Sequence, residues 1–87
     1  MTREGLYKAA HRQPFEPFRI ILTTGATYDI RHPDLIMVGR RSAAIGVTHQ
    51  PDNTVFYDYM LTIDLLHIVG IQQLAASSPP SSNGPSA

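Results

Sequence analysis

The sequence contains no cysteine, so neither a disulfide nor a thiolate-bound metal stabilises the fold. It has no charge excess either, because seven Lys and Arg residues balance seven Asp and Glu residues. Nucleic-acid-binding domains usually carry a basic excess, which argues against strong non-specific DNA binding. No apolar run reaches the roughly 20 residues that span a bilayer. The N-terminal residues also lack the apolar core of a signal peptide. We therefore expect a cytoplasmic protein that makes no membrane contact.

Length and composition indicate one small domain followed by a tail. A chain of 87 residues accommodates a single domain. Residues 75–87 read AASSPPSSNGPSA and offer no charge and no large apolar side chain to offset their ordering entropy. We predict a small-barrel domain over residues 1–74 and a flexible Ser/Pro-rich tail over residues 75–87. Because a unit of this size buries only about 60% of its unfolded surface, self-association is an expected source of extra buried area.

The N-terminal residues have the pattern of a short amphipathic helix. Leu6, Ala9 and Ala10 fall at positions i, i+3 and i+4 and share one face, and Thr2 is a suitable N-cap residue. Pro14 cannot continue a helix. We predict a helix over residues 3–12 that is stable only when it packs against the rest of the domain.

The strongest local signal is a β-hairpin. Residues 18–23 alternate in polarity and place Phe18 and Ile20 on one face. Thr24 and Gly25 supply a turn, because glycine accepts the positive φ that tight hairpin turns require. The return strand is predicted over residues 26–31.

Further β-prone segments follow the hairpin. They cover residues 35–38, 43–47, 55–63 and 67–72. Val55, Tyr57 and Tyr59 share one face and are predicted to lie in the core; an exposed stripe for bases or a protein partner is the alternative. Asp64 is predicted to cap a 3₁₀ turn. The predicted fold is mainly β (α+β): a short N-terminal helix followed by a strongly bent five-stranded antiparallel sheet or small barrel.

Two segments carry a resemblance to known proteins. Residues 13–41 read QPFEPFRIILTTGATYDIRHPDLIMVGRR, with a Phe-Glu-Pro-Phe-Arg entry, a one-glycine hairpin and an Arg-His-Pro-acid strand exit. Residues 65–74 read LLHIVGIQQL. Together they resemble a family of short uncharacterised bacterial proteins. That resemblance covers most of the predicted domain and implies no particular activity.

A second resemblance concerns the order of the elements. A short helix that leads into five strands is similar to the Sm-like and SH3-like small barrels. The bacterial Sm-like RNA chaperone has this order, with a glycine in its first hairpin and a hydrophobic closing strand. Its lysine- and histidine-bearing turn has no counterpart here, since residues 57–63 carry Asp58 and Met60 instead. The resemblance implies RNA binding by a homo-oligomeric ring.

Catalytic and metal-binding motifs are not found in the sequence. The four histidines, which lack the spacing of zinc ligands, are His11, His32, His49 and His67. His67 is predicted to be a structural residue of the apolar closing strand. Ser42 and Thr62 have no flanking motif that would make a nucleophile. We expect no enzyme activity, no cofactor and no metal.

One polar cluster is a candidate site for an anion or a nucleic acid. It consists of Arg31, His32, Arg40 and Arg41. Guanidinium groups bind phosphate or carboxylate in a bidentate manner, and a histidine adds a titratable donor. The competing interpretation, which we prefer, is that the arginines pair with neighbouring carboxylates. The candidates are Asp29, Asp34 and Glu16.

These patterns predict a non-enzymatic binding or assembly module. Its partner is expected to be a second copy or another protein, bound through an unpaired strand edge. The alternative is an Sm-like RNA-binding homo-oligomer that uses the arginine cluster. A small enzyme with a pocket lined by His32 or Asp58 is a third possibility. Phosphate contacts weaken steeply as salt rises, which separates the first two hypotheses.

Overall fold

A computed structural model of the chain describes residues 1–49 and 55–74. The order of elements is a helix, α1 (Arg3–Ala10), and six strands, β1 (Phe18–Leu22), β2 (Thr27–Ile30), β3 (Ile36–Val38), β4 (Ser42–Val47), β5 (Tyr59–Asp64) and β6 (Ile68–Gln73). Two 3₁₀ turns, Pro33–Leu35 and Leu65–His67, precede β3 and β6. The mainly β class with one short N-terminal helix is thus confirmed. The tail predicted at residues 75–87 lies outside the described residues.

Helix α1 is bounded by Thr2 as N-cap and His11 as C-cap. The Thr2 hydroxyl accepts a hydrogen bond from the Gly5 amide at 3.1 Å, as an N-cap residue does. At the other end the His11 amide donates to the Tyr7 carbonyl, and His11 itself leaves helical backbone geometry. The helix is therefore two residues shorter than predicted. It buries Leu6 and Ala10, two of the three residues that the sequence places on one face, and Ala9 is partly buried.

The predicted hairpin is present, with β1 and β2 antiparallel and Ile20 opposite Tyr28. Gly25 occupies the turn with φ of +91°, a conformation that side chains with a Cβ rarely adopt. The Leu22 amide donates to the Ala26 carbonyl at 2.9 Å and closes the hairpin. Phe18 and Ile20 are fully buried, as the alternation requires.

Gly25 and Gly70 form a matched pair for testing this turn. A Cβ at either position meets no atom within 4 Å, but only Gly25 has a positive φ. We expect Gly25→Ala to lower the free energy of unfolding by about 1–2 kcal/mol, the cost of left-handed geometry for an L side chain. Gly70→Ala is expected to be neutral or slightly stabilising. Urea unfolding curves for the two variants measure this difference, and equal effects would contradict the assigned turn conformation.

The strands form two three-stranded antiparallel sheets and not the predicted single five-stranded sheet or closed barrel. One sheet has the order β2-β1-β6, and the other has the order β3-β4-β5. The chain crosses between the sheets at the 3₁₀ turn that contains Pro33 and at the 3₁₀ turn capped by Asp64. Pro33 interrupts the first ladder, because proline cannot donate a backbone hydrogen bond, and the Asp64 side chain caps the second turn by accepting from the Leu66 amide. The strand count is therefore six, and the sheets stay open.

The core lies between the two sheets and the buried face of α1. The helix packs most closely against β3. Phe15 packs on the edge of this core, with the centroid of its ring 6.1 Å from that of Phe18. The buried residues are Leu6, Ala10, Phe18, Ile20, Ile30, Ile36, Ala43, Ile45, Ile63, Leu65 and Ile68.

The prediction that Val55, Tyr57 and Tyr59 lie in the core is wrong. Strand β5 begins only at Tyr59, and all three side chains are exposed, Tyr57 by 52%. The inner face of β5 is instead completed by Leu61 and Ile63, whose partners across the ladder are Ile45 and Ala43. Tyr57 lies against the backbone of Gly46, where an added Cβ would come within 3.0 Å of it.

Candidate functional site

Arg31, one residue of the predicted cluster, belongs to an ion-pair network on the β1–β2 hairpin. Arg19 and Asp29 are opposite each other in the ladder, and the guanidinium binds the carboxylate through Nε–Oδ1 (2.7 Å) and Nη2–Oδ2 (3.2 Å). Arg31 reaches the same carboxylate through Nη2–Oδ2 at 3.3 Å. The hydrogen bonds from Arg19 hold the pKa of Asp29 below its ordinary value, although partial burial opposes them. This arrangement matches the preferred interpretation of carboxylate pairing.

This network lines one side of a cleft of about 450 Å³. Strand β2 forms one wall, and the end of β4 with residues 48–49 forms the other. The floor is apolar, with Ile30, Leu35 and Ile45. Because Asp29 already occupies donors of both arginines, an anion in this cleft has to compete with the carboxylate.

The other three residues of the predicted cluster lie elsewhere. The His32 Nδ1 atom accepts a hydrogen bond from the Asp34 amide at 3.1 Å and so caps a 3₁₀ turn. Arg40 and Arg41 form the exposed loop between β3 and β4. Arg40 lines a hollow beside α1, whereas Arg31 lines the cleft by β2. The structure therefore divides the cluster instead of collecting it in one pocket.

Asp58 and Asp64 accept hydrogen bonds from backbone amides. Asp64 accepts from the Leu66 amide at 2.9 Å, which confirms its predicted capping role. Asp58 accepts from the His49 amide at 2.8 Å. His67 lies exposed in a 3₁₀ turn, so its predicted place in the apolar closing strand is wrong. Over residues 1–49 and 55–74, no three His, Asp or Glu side chains are grouped to hold a metal ion.

Asp29 gives the structure a specific pH dependence. A depressed folded-state pKa means that the unfolded chain binds more protons, so this stability is present above pH 3.8, the ordinary value. It is lost as the pH falls through the lower folded-state pKa. We expect Asp29→Asn to cost about 1 kcal/mol of unfolding free energy near pH 7, and this cost to shrink in acid. Urea unfolding of the wild type and of Asp29→Asn, measured from neutral to acidic pH, tests this expectation.

Asp34→Asn is the matched control for this prediction. The Asp34 carboxylate is largely exposed, and its nearest charge partner is His32 Nδ1 at 3.8 Å. Exposed pairs of this kind contribute little to stability, so we expect Asp34→Asn to change the free energy of unfolding by less than about 0.5 kcal/mol at any pH. An equal effect of both substitutions would contradict the special role of Asp29.

The largest exposed apolar feature is the segment of residues 55–60, which leads into β5. Every residue from 55 to 60 is exposed, with Phe56 at 80%. The preferred prediction placed the alternate positions Val55, Tyr57 and Tyr59 in the core and kept an exposed stripe as the alternative; Phe56 and Met60 were not included in either. The run VFYDYM has large apolar residues at both odd and even positions. A single buried face cannot accept both sets, and that was the available signal.

Strand β5 also presents a backbone edge without a partner. The Leu65 amide bonds to the Arg41 carbonyl at 2.8 Å, which fixes the phase of the β4–β5 ladder. Hydrogen-bonded pairs recur at every second residue of an antiparallel ladder. Leu61 and Ile63 therefore bond to β4, whereas the N–H and C=O groups of Met60 and Thr62 face away from it. Within the described residues no strand pairs with this edge.

Together these features define the chain as a small two-sheet β domain with an open, apolar strand edge. A search of family models, curated proteins and solved structures found no significant match to the chain. The helices described in residues 1–49 and 55–74 are too short to cross a membrane. The features that bear on function are therefore the open edge of β5 and the exposed apolar residues beside it.

Proposed function

We propose that this chain is a non-enzymatic assembly module that pairs with a second copy through the edge of β5. The observation that carries the proposal is the coincidence of two features on one strand. Within the described residues no strand bonds to the outward backbone donors and acceptors of Met60 and Thr62, and residues 55–60 add exposed apolar side chains beside them. An unpaired edge of this kind is a template for another strand.

A second copy is a suitable partner for chemical reasons. Two β5 edges can pair antiparallel about a two-fold axis, so the backbone N–H and C=O groups of each edge bond to those of the other. The chain has a formal net charge of zero, and two copies therefore meet without overall repulsion. Pairing also removes apolar side chains from water, which adds buried area to a domain with a small core.

RNA binding is the second candidate, because exposed tyrosines can stack on bases. Arg41 lies next to the ladder end, where its carbonyl accepts from the Leu65 amide. Two carboxylates at the ends of β5 would repel the phosphates of RNA, since Asp58 precedes Tyr59 and Asp64 ends the strand. The enzyme hypothesis has less support still: neither His32 nor Asp58 lines the cleft by β2, and each already binds a neighbouring backbone amide.

Size-exclusion chromatography with light scattering tests the proposal. We expect a dimer or larger species whose mass persists when salt is raised, because hydrophobic and backbone contacts are not weakened by salt. The chain has no tryptophan, so nucleic acid that travels with it would dominate the ultraviolet spectrum. A monomer at every concentration would overturn the proposal. A salt-sensitive peak that contains nucleic acid would favour the RNA-binding candidate.

A further inference from the structure

We infer that the groove between α1 and β6 binds an extended peptide of a partner protein as an added strand. The groove has a volume of about 840 Å³, within the usual range for ligand sites. Its lining consists of Glu4, Gly5, Tyr7, Lys8, Ala9, His11 and Arg12 from the helical side and Ile71 and Gln73 from β6. This site is separate from the β5 edge and does not depend on self-assembly.

The hydrogen-bond phase of β1 makes the β6 wall competent for strand addition. The Leu22 amide bonds to the Ala26 carbonyl across the β1–β2 hairpin, so Arg19 and Ile21, at odd positions, bond to β6. Their partners in β6 are Gln72 and Gly70.

The next pair along this ladder has the same phase, since the Leu74 amide donates to the Pro17 carbonyl at 3.0 Å. The backbone N–H and C=O groups of Ile71 and Gln73 therefore point away from β1. These are the same two residues of β6 that line the groove. No strand within residues 1–49 and 55–74 pairs with this edge.

The helical wall contributes small residues and apolar contact. Gly5 and Ala9 lie one turn apart and carry the smallest side chains of this wall. Tyr7 and His11 stack on each other with ring centroids 3.9 Å apart, which keeps both rings on one side. With Ile71 opposite, the groove suits a peptide that has apolar residues at alternate positions.

Charge at the rim defines the partner further. Arg12 is paired with Glu16 at 3.5 Å, and Glu4 is paired with Arg3 at 3.2 Å. Lys8 makes no ion pair with any described residue, so the groove has one uncompensated cation. We therefore assign the occupant as an extended peptide with an acidic side chain near Lys8. A second copy of β6 fits less well, because its sequence IVGIQQ has no acidic residue.

The test uses the ¹⁵N-labelled full chain and synthetic hexapeptides. The probe is acetyl-Asp-Val-Thr-Val-Asp-Val-amide, and the control has lysine in place of aspartate. We expect the acidic peptide to shift the amide resonances of Ile71 and Gln73. Lys8→Glu is expected to weaken that peptide at least fivefold and to favour the lysine peptide, whereas Lys8→Arg retains the original preference.

Backbone methylation of the probe distinguishes strand addition from simple apolar contact. One analogue is N-methylated at its odd residues and the other at its even residues. An added strand directs only one of these sets of N–H groups toward β6, so we expect one analogue to lose binding and the other to keep it. This comparison changes only the peptide and cannot be confounded by unfolding of the domain.

Four results would overturn the inference. They are the absence of shifts at Ile71 and Gln73, an affinity that is insensitive to Lys8→Glu, an equal effect of both methylated analogues, and concentration-dependent shifts of these two amides without peptide. The last result would assign the groove to a second copy. Because all the readouts lie on α1 and β6, failure of β5 pairing leaves this test intact.

Discussion

Replacing Phe18 with alanine is expected to lower the free energy of unfolding by about 3–5 kcal/mol, the usual cost of removing a fully buried aromatic side chain. Phe18 is 0% exposed and is the largest fully buried side chain of the core. Small domains are stable by only about 5–15 kcal/mol, and this one has few residues with which to build a core. The variant should therefore lose most of its folded population well below the urea midpoint of the wild type, as measured by circular dichroism.

Met37→Ala is the matched control for Phe18→Ala. The Met37 side chain is 67% exposed on the outer face of β3, so its loss leaves no cavity. We expect a change of less than about 0.5 kcal/mol. If Phe18→Ala were as mild as Met37→Ala, the interface between the two sheets would not be the stabilising core, and the assignment of both sheets would be in doubt.

The elements that could be predicted from sequence are those with local physical causes. The β1–β2 hairpin follows from alternating apolar residues around a glycine that takes positive φ. Helix α1 follows from the Thr2 cap, and the second 3₁₀ turn follows from the Asp64 cap. In each case the deciding interaction joins residues close together in the chain, so the sequence contains the complete cause.

The remaining features depend on which strands pair, and sequence alone does not give that. Whether Tyr57 is buried depends on how far the β4–β5 ladder extends, and the ladder begins at Tyr59 opposite Val47. The number of sheets depends on whether the chain crosses at Pro33 or continues. A one-sided pattern of apolar residues fits a core strand and an exposed stripe equally well. The arginine cluster has the same limitation, because its two segments, residues 31–32 and 40–41, meet only if particular strands pair.

The candidate site shows the same division between local and distant causes. Pairing of Arg31 with a nearby carboxylate was the preferred prediction, and Asp29, one of its three candidates, lies only two residues away in the chain. The separation of Arg31 from Arg40 was not predicted, since it depends on where β3 lies relative to α1 and β2. An unpaired strand edge was predicted, but its assignment to β5 was not, because an edge is defined by the absence of a neighbouring strand.

The sharpest test of the proposed assembly is Thr62→Pro in β5. The Thr62 N–H faces away from β4, so a proline there removes no ladder bond within the domain and blocks only the outer edge. In a symmetric pair the change removes one donor from each copy and places a ring in the contact. At about 0.5–1.5 kcal/mol for each lost hydrogen bond, we expect the dimer dissociation constant to rise at least tenfold. Analytical ultracentrifugation measures this constant directly.

Thr62→Ala separates the backbone effect from the side-chain effect. It shortens the same side chain but keeps the N–H group, so it should leave the dissociation constant nearly unchanged. Both variants must retain the circular dichroism spectrum of the wild type, because proline can also strain a strand. If Thr62→Pro is folded and associates as tightly as Thr62→Ala, the β5 edge is not the contact. Self-association would then have to use other surfaces of the sheets, where Met37, Met60 and Val69 are exposed apolar strand residues to substitute next.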